Sequence, residues 1–367
     1  MFDRRLLKNF DWILLLLLII ISAISVLNLY SATYPLRQAG GSVIFMKQIY
    51  WFIIGFAALL FMTTFDYHLL GRLAYPAYFF ALALLIVVLL KGEVRSGSQR
   101  WLSLGGVMFQ PAELMKIALV IALARFFSEH DHPNGYRLRD LWRPFLLMAL
   151  PCGLIIKEPD LGTALTIGIV CFSVILFAKV RLKSLLILVI GAFLAAPFIW
   201  VNLQEYQQKR ILTYLSPEMD PLGAGYHINQ SKIAIGSGLV WGKGFLQGTQ
   251  TRLHFLPEQH TDFAFSVLAE EWGFAGSLIL LLLYLFLMLW GINIARTSKD
   301  KFGALISLGV VAIIFWQMAI NVSMVTGLLP VVGIPLVLFS YGGSSIVSTM
   351  AGMGLLMNIS MRRFMFQ

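Results

Sequence analysis

The chain has 367 residues, of which 59% are hydrophobic and only 13% are charged, and its mean hydropathy is +0.80. This composition excludes a soluble globular domain of such length and indicates a polytopic membrane protein. A formal net charge of +10 would suggest nucleic acid in a soluble protein. In a membrane protein the basic residues first set the topology, so we expect no nucleic-acid partner.

Ten apolar runs of near-spanning length follow one another along the chain. They cover residues 12–30, 48–63, 72–90, 111–127, 143–156, 162–178, 184–202, 264–294, 303–326 and 335–360. The first run is long enough to span and leads to no small-residue cleavage site, so we interpret it as a spanning helix. The sequence predicts an all-α polytopic membrane protein with about ten transmembrane helices in one domain, residues 1–367.

Lysine and arginine concentrate on one side of the predicted bundle, as at Arg4 and Arg5 before the first run and Arg362 and Arg363 after the last. The positive-inside rule places this side in the cytoplasm. Both termini are then cytoplasmic. The large 203–263 loop, between the seventh and eighth helices, then lies on the outer face.

Two segments of this loop mix polar and apolar residues at roughly helical spacing, from Asn202 to Tyr214 and from Tyr226 to Leu239. They predict short helices that lie in the membrane interface. The turn-rich sequence SPEMDPLGAG connects them. The glycines that follow lack the spacing of a phosphate-binding loop, which indicates a flexible loop without a nucleotide site.

Asp262 lies where this loop meets the eighth run, in LPEQHTDFAFSVLAEEWG. Its ordinary interpretation is a helix N-cap or a first-turn acid, positions that favour aspartate. The alternative is a carboxylate that faces water and reaches a lipid-borne substrate. The polar neighbours His254, Glu258 and His260 favour the alternative.

A zinc site made of His254, Glu258 and His260 is conceivable, but these residues lie in a loop and no HExxH helix is present. Carboxylates beside a lipid diphosphate would more naturally recruit Mg²⁺ or Mn²⁺ through the phosphates. The sequence therefore leaves the metal ligands unknown. It favours a divalent cation over an organic cofactor.

The loop before the fourth run reads GSQRWLSLGGVMFQPAELMK, with Arg100 ahead of the membrane and Pro111 suited to the first helical turn. Glu113 and Lys116 are three residues apart and therefore share a helix face. They can form an ion pair that neutralises both side chains. Alternatively, Lys116 acts with Arg100 to attract a diphosphate, since charges at membrane depth often mark function.

Two further turns carry polar candidates. In KEPDLGTA, Asp160 can cap the sixth helix through Gly162 or Thr163, or it can contact substrate or metal. In TGLLPVVGIPLVLFSYGGSS, we expect an outer hairpin and then the Gly-Gly-Ser-Ser step of 342–345 inside the last helix. This step favours close helix packing, with Ser344 a candidate for lining a polar cavity.

With these motifs in view, the chain resembles the SEDS family (shape, elongation, division and sporulation), and most closely its rod-shape RodA type. The resemblance covers essentially the whole length. It rests on GSQRWLSLGG, FQPAELMK, EPDLGTA, LPEQHTDFAFSVLAEEWG and LPVVGIPLVLFSYGGSS, in this order. The sequence departs from the family pattern at Ala264, Ser266 and Val337, where we expect little effect on the chemistry.

The resemblance implies an inverting peptidoglycan glycosyltransferase that polymerises lipid II on the outer face of the bacterial cytoplasmic membrane during cell elongation. It maps the catalytic aspartate onto Asp262 and implies a class B penicillin-binding protein, a transpeptidase, as partner. The expected substrate-binding residues are Arg100, Gln110, Glu113, Lys116, Asp160, His260 and Ser344.

Three alternatives remain open from the sequence. A lipid II flippase would also use about ten helices with intramembrane charges. A non-catalytic scaffold would only dock and activate the transpeptidase, and Asp262 would then be a helix cap. The third alternative is the division-type paralogue of the same family.

Overall fold

Ten long helices follow the ten apolar runs in the computed structural model, which describes residues 9–34, 44–95, 98–105, 107–216, 223–253, 255–256 and 258–363. They are α1 (Trp12–Ala32), α2 (Ile44–Thr64), α3 (Tyr67–Lys91), α4 (Pro111–Glu129), α5 (Trp142–Lys157), α6 (Leu161–Phe177), α7 (Leu182–Asn202), α11 (Ala264–Arg296), α12 (Lys301–Val325) and α13 (Gly343–Arg362). Three shorter helices lie in the loop before α11: α8 (Glu205–Leu215), α9 (Ala224–Ser237) and the single turn α10 (Thr249–Arg252).

Six of the long helices, α1, α2, α3, α11, α12 and α13, are long and apolar enough to cross a membrane on their own. Among the others, α5 has 16 residues, α6 has 17, and α4 carries the buried charges of Glu113 and Lys116. The predicted all-α, multi-pass membrane fold is confirmed.

The two ends of the described chain meet at one end of the bundle, through Asp11. Its carboxylate caps α1 by accepting a hydrogen bond from the Leu14 amide at 3.1 Å. It also accepts hydrogen bonds from Trp290 Nε1 on α11 at 2.9 Å and from Ser360 Oγ on α13 at 2.9 Å. One buried carboxylate thus joins three helices. We call this end the terminal end and the opposite end the site end.

A small antiparallel sheet at the site end was not predicted. Its strands β1 (Glu93–Arg95), β2 (Ser98–Leu104) and β3 (Val107–Phe109) join α3 to α4. Gly105 has a φ of +59°, which lets the chain turn tightly between β2 and β3. β1 and β3 have only three residues each, too few for the alternation of polar and apolar residues that identifies a strand in a sequence. The sheet places Arg100 on β2 beside the helix ends.

The predicted helices of the 203–263 loop are confirmed as α8 and α9, while residues 217–222 of their connection lie outside the described residues. Ser231 of α9 is fully buried, and its hydroxyl donates to the Val325 carbonyl at 2.6 Å. Its oxygen also lies 2.8 Å from Ser266 Oγ. The loop is therefore hydrogen-bonded to α11 and α12.

α11 is kinked at Gly273, which has a φ of +64°. The kink exposes backbone groups that pair with the preceding loop. Phe274 N donates to Leu239 O at 2.8 Å, and Gly244 N donates to Glu271 O at 3.0 Å. A side chain at Gly273 would collide with the loop backbone, since its Cβ would lie 2.4 Å from Gly242 N.

The prediction of one helix over 335–360 is wrong in its first part. α13 begins at Gly343, and residues 327–342 form an irregular segment whose second half is buried. Hydropathy cannot distinguish a buried irregular segment from a helix, because both are apolar. The expected close packing is present at the start of α13, where a Cβ on Gly343 would lie 2.1 Å from the Trp51 ring.

We predict that Asp11→Ala lowers the free energy of unfolding by about 2–3 kcal/mol, because it removes charge-assisted hydrogen bonds to three helices. Asp66→Ala is the matched control, since Asp66 also caps a helix, α3, at the terminal end but its side chain is 53% exposed. We expect a loss of about 1 kcal/mol there. Thermal unfolding in detergent measures the loss of stability in both variants. Equal losses would contradict the conclusion that Asp11 joins three helices.

Candidate functional site

Asp262 lies two residues before α11, so its interpretation as a helix cap is wrong. The N-cap position is occupied by Phe263. A tight turn precedes it, in which the Thr261 and Phe263 amides donate to the Glu258 carbonyl at 3.1 and 3.3 Å. The half-buried Asp262 carboxylate accepts no hydrogen bond from the residues that the structure describes. It is free to act on a ligand.

The surroundings of Asp262 raise the pKa of its carboxyl group to about 6. Burial is the main cause, and the Glu258 carboxylate adds to it. Arg100 and Arg210 act in the opposite direction. A carboxylate with a pKa near the working pH is well suited to act as a general base, because it is ionised and still basic.

The segment 332–334 forms a wall beside this carboxylate. Gly333 has a φ of +72°, and a Cβ built on it would lie 3.5 Å from Asp262 Oδ2. On the other side of the wall, a Cβ on Gly162 at the start of α6 would lie 2.6 Å from Val332 O. Both glycines allow a close backbone approach. The wall therefore joins Asp262 to the N-terminus of α6.

Arg100 and Asp160 form an ion pair at that N-terminus, with Arg100 Nη1 3.1 Å from Asp160 Oδ2. The predicted cap is also present, because Asp160 accepts hydrogen bonds from Thr163 N at 3.1 Å and from Thr163 Oγ1 at 2.9 Å. The Arg100 side chain is 26% exposed, whereas that of Asp160 is buried. Arg100 is therefore held in place by Asp160 while part of its side chain stays accessible.

Glu158 is a residue of this corner that the sequence reasoning did not assign to the site. Its side chain is 1% exposed, and Oε1 has no hydrogen-bond partner among the described residues. Burial and the Asp160 carboxylate raise its pKa to about 8, against the effect of Arg100. The group is therefore protonated at neutral pH. An acidic residue in a turn is usually exposed to solvent, so the sequence did not indicate that Glu158 is buried.

Gln110, Glu113, Lys116 and Ser344 lie together where α4 and α13 begin. Gln110 N donates to Ser344 Oγ at 3.0 Å, which joins the two helix starts. The predicted ion pair is present, with Lys116 Nζ 2.8 Å from Glu113 Oε1. Ser348 Oγ donates to the other Glu113 oxygen at 3.3 Å. Lys116 is only 3% exposed and belongs to a different ion pair from Arg100.

His260 lies in the same turn as Asp262 and connects it to the irregular segment. Its carbonyl accepts a hydrogen bond from Tyr341 N at 2.9 Å. Burial lowers the pKa of the imidazole, so the ring is neutral at pH 7. A neutral imidazole can accept or donate one hydrogen bond at a sugar hydroxyl.

No group of three His, Cys, Asp or Glu side chains suited to a metal ion occurs among the described residues. His254, one member of the zinc alternative, lies outside them. Within the described part, carboxylates near Asp262 can supply only some of the ligands of a divalent cation. Phosphate oxygens of a bound diphosphate would have to supply others.

The family model for the FtsW, RodA and SpoVE cell cycle proteins matches residues 8–364. The chain belongs to this family. Its similarity to curated members extends over most or all of its length. The peptidoglycan glycosyltransferase MrdB of Escherichia coli strain K12 is 44% identical over 291 residues, which cover 78% of each chain. The peptidoglycan glycosyltransferase RodA of Treponema pallidum is 32% identical and covers 97% of this chain and 98% of its own.

Division-type members are also similar, as shown by the probable peptidoglycan glycosyltransferase FtsW of Trichlorobacter lovleyi, which is 35% identical over 96% of this chain and 94% of its own. Two solved structures share the fold. One is a chain of a peptidoglycan synthase complex that coordinates polymerization and crosslinking, with a TM-score of 0.83, 32% identity and coverage of 97% and 98%. The rod-shape-determining protein RodA of Thermus thermophilus has a TM-score of 0.71, 29% identity and the same coverage.

Proposed function

We propose that this membrane protein is a peptidoglycan glycosyltransferase of the rod-shape type, which polymerises lipid II into β-1,4 glycan strands. The observation that carries the proposal is the free Asp262 carboxylate with its raised pKa, within the electrostatic influence of the partly exposed Arg100 side chain. The names of the curated relatives support the same class of reaction. The similar solved structure of a rod-shape-determining protein supports elongation over division.

The proposed chemistry needs one base. The 4-hydroxyl of the acceptor sugar attacks the anomeric carbon of the donor, and Asp262 takes its proton as the new bond forms. The bond from the anomeric carbon to the diphosphate oxygen breaks on the opposite face, so the α-linked donor gives a β-1,4 product. A diphosphate leaves as an anion without protonation. No second carboxylate is therefore required as an acid, in contrast to a glycoside hydrolase.

Arg100 is the cation best placed to stabilise the charge that develops on the leaving diphosphate. Its ion pair with Asp160 fixes the guanidinium, and a bidentate fork suits phosphate oxygens. Lys116 is buried against Glu113, so we assign it an indirect role in holding the start of α4. Gln110 and Ser344 join that start to α13. His260 lies in the same turn as Asp262, and we assign it to the binding of the acceptor sugar.

The orientation and partner of the protein belong to the same proposal. The basic residues at the terminal end support a cytoplasmic location for both termini in the bacterial inner membrane, with Asp262 on the outer face. Lipid II carries its sugars on that face once it has been flipped. The similar chain from a peptidoglycan synthase complex supports a class B penicillin-binding protein as the transpeptidase partner.

We predict that Asp262→Asn abolishes polymerisation of labelled lipid II by the purified protein with its transpeptidase, because the isosteric amide cannot accept the proton. The control Glu258→Gln is also a carboxylate-to-amide change in the same turn, and this variant should still polymerise lipid II. Gel analysis of the glycan products measures both, and thermal unfolding checks that both variants fold. A wild-type amount of glycan polymer from the Asp262→Asn variant would contradict the assignment of Asp262 as the base. Lipid translocation without polymer in the wild type would favour a flippase instead.

The rate of polymerisation should rise with pH and reach half its maximum near pH 6, because only the ionised Asp262 is a base and its pKa is raised to about 6. Glu258→Gln removes a charge that raises this pKa, so the half-maximal pH should fall by roughly half a unit to one unit. High salt should reduce the difference, since Glu258 is exposed. A pH profile unaffected by Glu258→Gln would contradict this electrostatic account.

A divalent cation, Mg²⁺ or Mn²⁺, is part of the proposal, and we propose no organic cofactor. Asp160 would share such an ion with phosphate oxygens of the bound diphosphate, which leaves Asp262 free to act as the base. The ion would offset charge on the diphosphate. We predict that EDTA lowers the rate at least about tenfold and that added Mn²⁺ or Mg²⁺ restores it. An unchanged rate in EDTA would exclude the ion.

A further inference from the structure

Asn321 is a fully buried polar residue in the apolar helix α12, where a polar group is costly unless it is hydrogen-bonded. Its side-chain nitrogen donates two hydrogen bonds, one to the Asp262 carbonyl at 2.9 Å and one to the Ile334 carbonyl at 2.7 Å. No other described side chain donates to either carbonyl. Neither bond serves α12 itself.

The two carbonyls belong to the two segments that enclose the Asp262 carboxylate. One is the turn that ends at Phe263, and the other is the wall 332–334, in which Gly333 faces Asp262 Oδ2. Because one amide nitrogen holds both backbones, it sets the position of the carboxylate relative to its wall. A shift of either segment would break one of the two bonds.

Only a primary amide or a cationic group offers two N–H donors from one nitrogen, and the amide does so without adding a charge next to the proposed base. The reverse orientation would place the amide oxygen of Asn321 against two carbonyl oxygens, so the donor assignment follows from chemistry. That oxygen, Oδ1, is buried and has no hydrogen-bond partner among the described residues. A buried acceptor without a hydrogen-bond partner is unusual and requires an explanation. Here the two bonds that the amide nitrogen donates to the two segments fix the orientation of the amide and leave its oxygen unpaired.

We propose that Asn321 is a positioning residue that fixes the Asp262 carboxylate against the 332–334 wall for catalysis. The proposal rests on the polymerase function proposed above. Asn321 does not touch the substrate and acts only through the two carbonyls. Its loss should therefore affect the chemical step more than the binding of lipid II.

Two consequences distinguish this role from a general contribution to stability. Without the bridge, Asp262 samples misaligned positions, and a displacement of about 1 Å can cost roughly 100-fold in rate. The carboxylate also gains contact with water. Since burial is the main cause of its raised pKa, the pKa should fall toward its ordinary value. The half-maximal pH of polymerisation should then move below 6, to an acidity at which the wild type has less than half of its maximal rate.

The experiment compares wild type, Asn321→Leu and Asn321→Ala in the lipid II assay, with the transpeptidase present and the pH varied. Gln317→Leu is the matched control. Gln317 lies one turn earlier on the same face of α12, is 2% exposed and also has an unpaired amide oxygen, but it donates to neither carbonyl. Asn321→Ala adds no volume, so this variant is compared with the wild type and Gln317→Leu if Asn321→Leu does not fold.

We expect both Asn321 variants to lower kcat roughly 10- to 100-fold with little change in KM and to move the acid limb to lower pH. The Gln317→Leu profile should match the wild type. A rate that falls by the same factor at every pH, or an equal loss in Gln317→Leu, would overturn the positioning role. If the wild type itself makes no polymer, the proposed function fails and this role fails with it.

Discussion

The site end depends on an irregular segment, residues 327–342, that passes between helices of a membrane protein. Backbone N–H and C=O groups at membrane depth must be hydrogen-bonded, and this non-helical segment bonds only some of its own, as where Phe339 N and Ser340 N donate to Leu336 O. Side chains from surrounding helices do so instead. The donors to its carbonyls are Ser25 to Phe339, Gln48 to Ser340, Tyr214 to Leu328, Tyr284 to Val337 and Asn321 to Ile334. The segment is fixed by this set of bonds.

The same segment brings the separate parts of the site together. Its 332–334 wall lies between Asp262 and the α6 N-terminus that carries Asp160. Further along, Tyr341 N donates to the carbonyl of His260, and the chain then enters α13, whose second residue, Ser344, accepts a hydrogen bond from Gln110 N. Residues from three motifs that are distant in sequence therefore meet at this segment and at the start of α13.

The sequence predicts the ten helices well because each needs a continuous apolar stretch, and hydropathy measures that directly. It predicts Asp160 as a cap and Glu113 with Lys116 as a pair because both depend on local spacing. The irregular segment was missed because its residues are as apolar as a helix. Isolated polar residues inside apolar runs were an available signal. Ser25, Gln48 and Asn321 are such residues, and their partners are distant in sequence.

The distribution of charges at the site end explains why a single aspartate stands out. Arg100 pairs with Asp160, Lys116 with Glu113, and Lys243 with Glu270, so these charges are satisfied within the protein. A buried charge without a partner is costly, and proteins usually neutralise or pair it. Asp262 is half-buried, and within the described residues its carboxylate has no hydrogen-bond donor. That cost appears as its raised pKa, and a raised pKa makes an ionised carboxylate a stronger base.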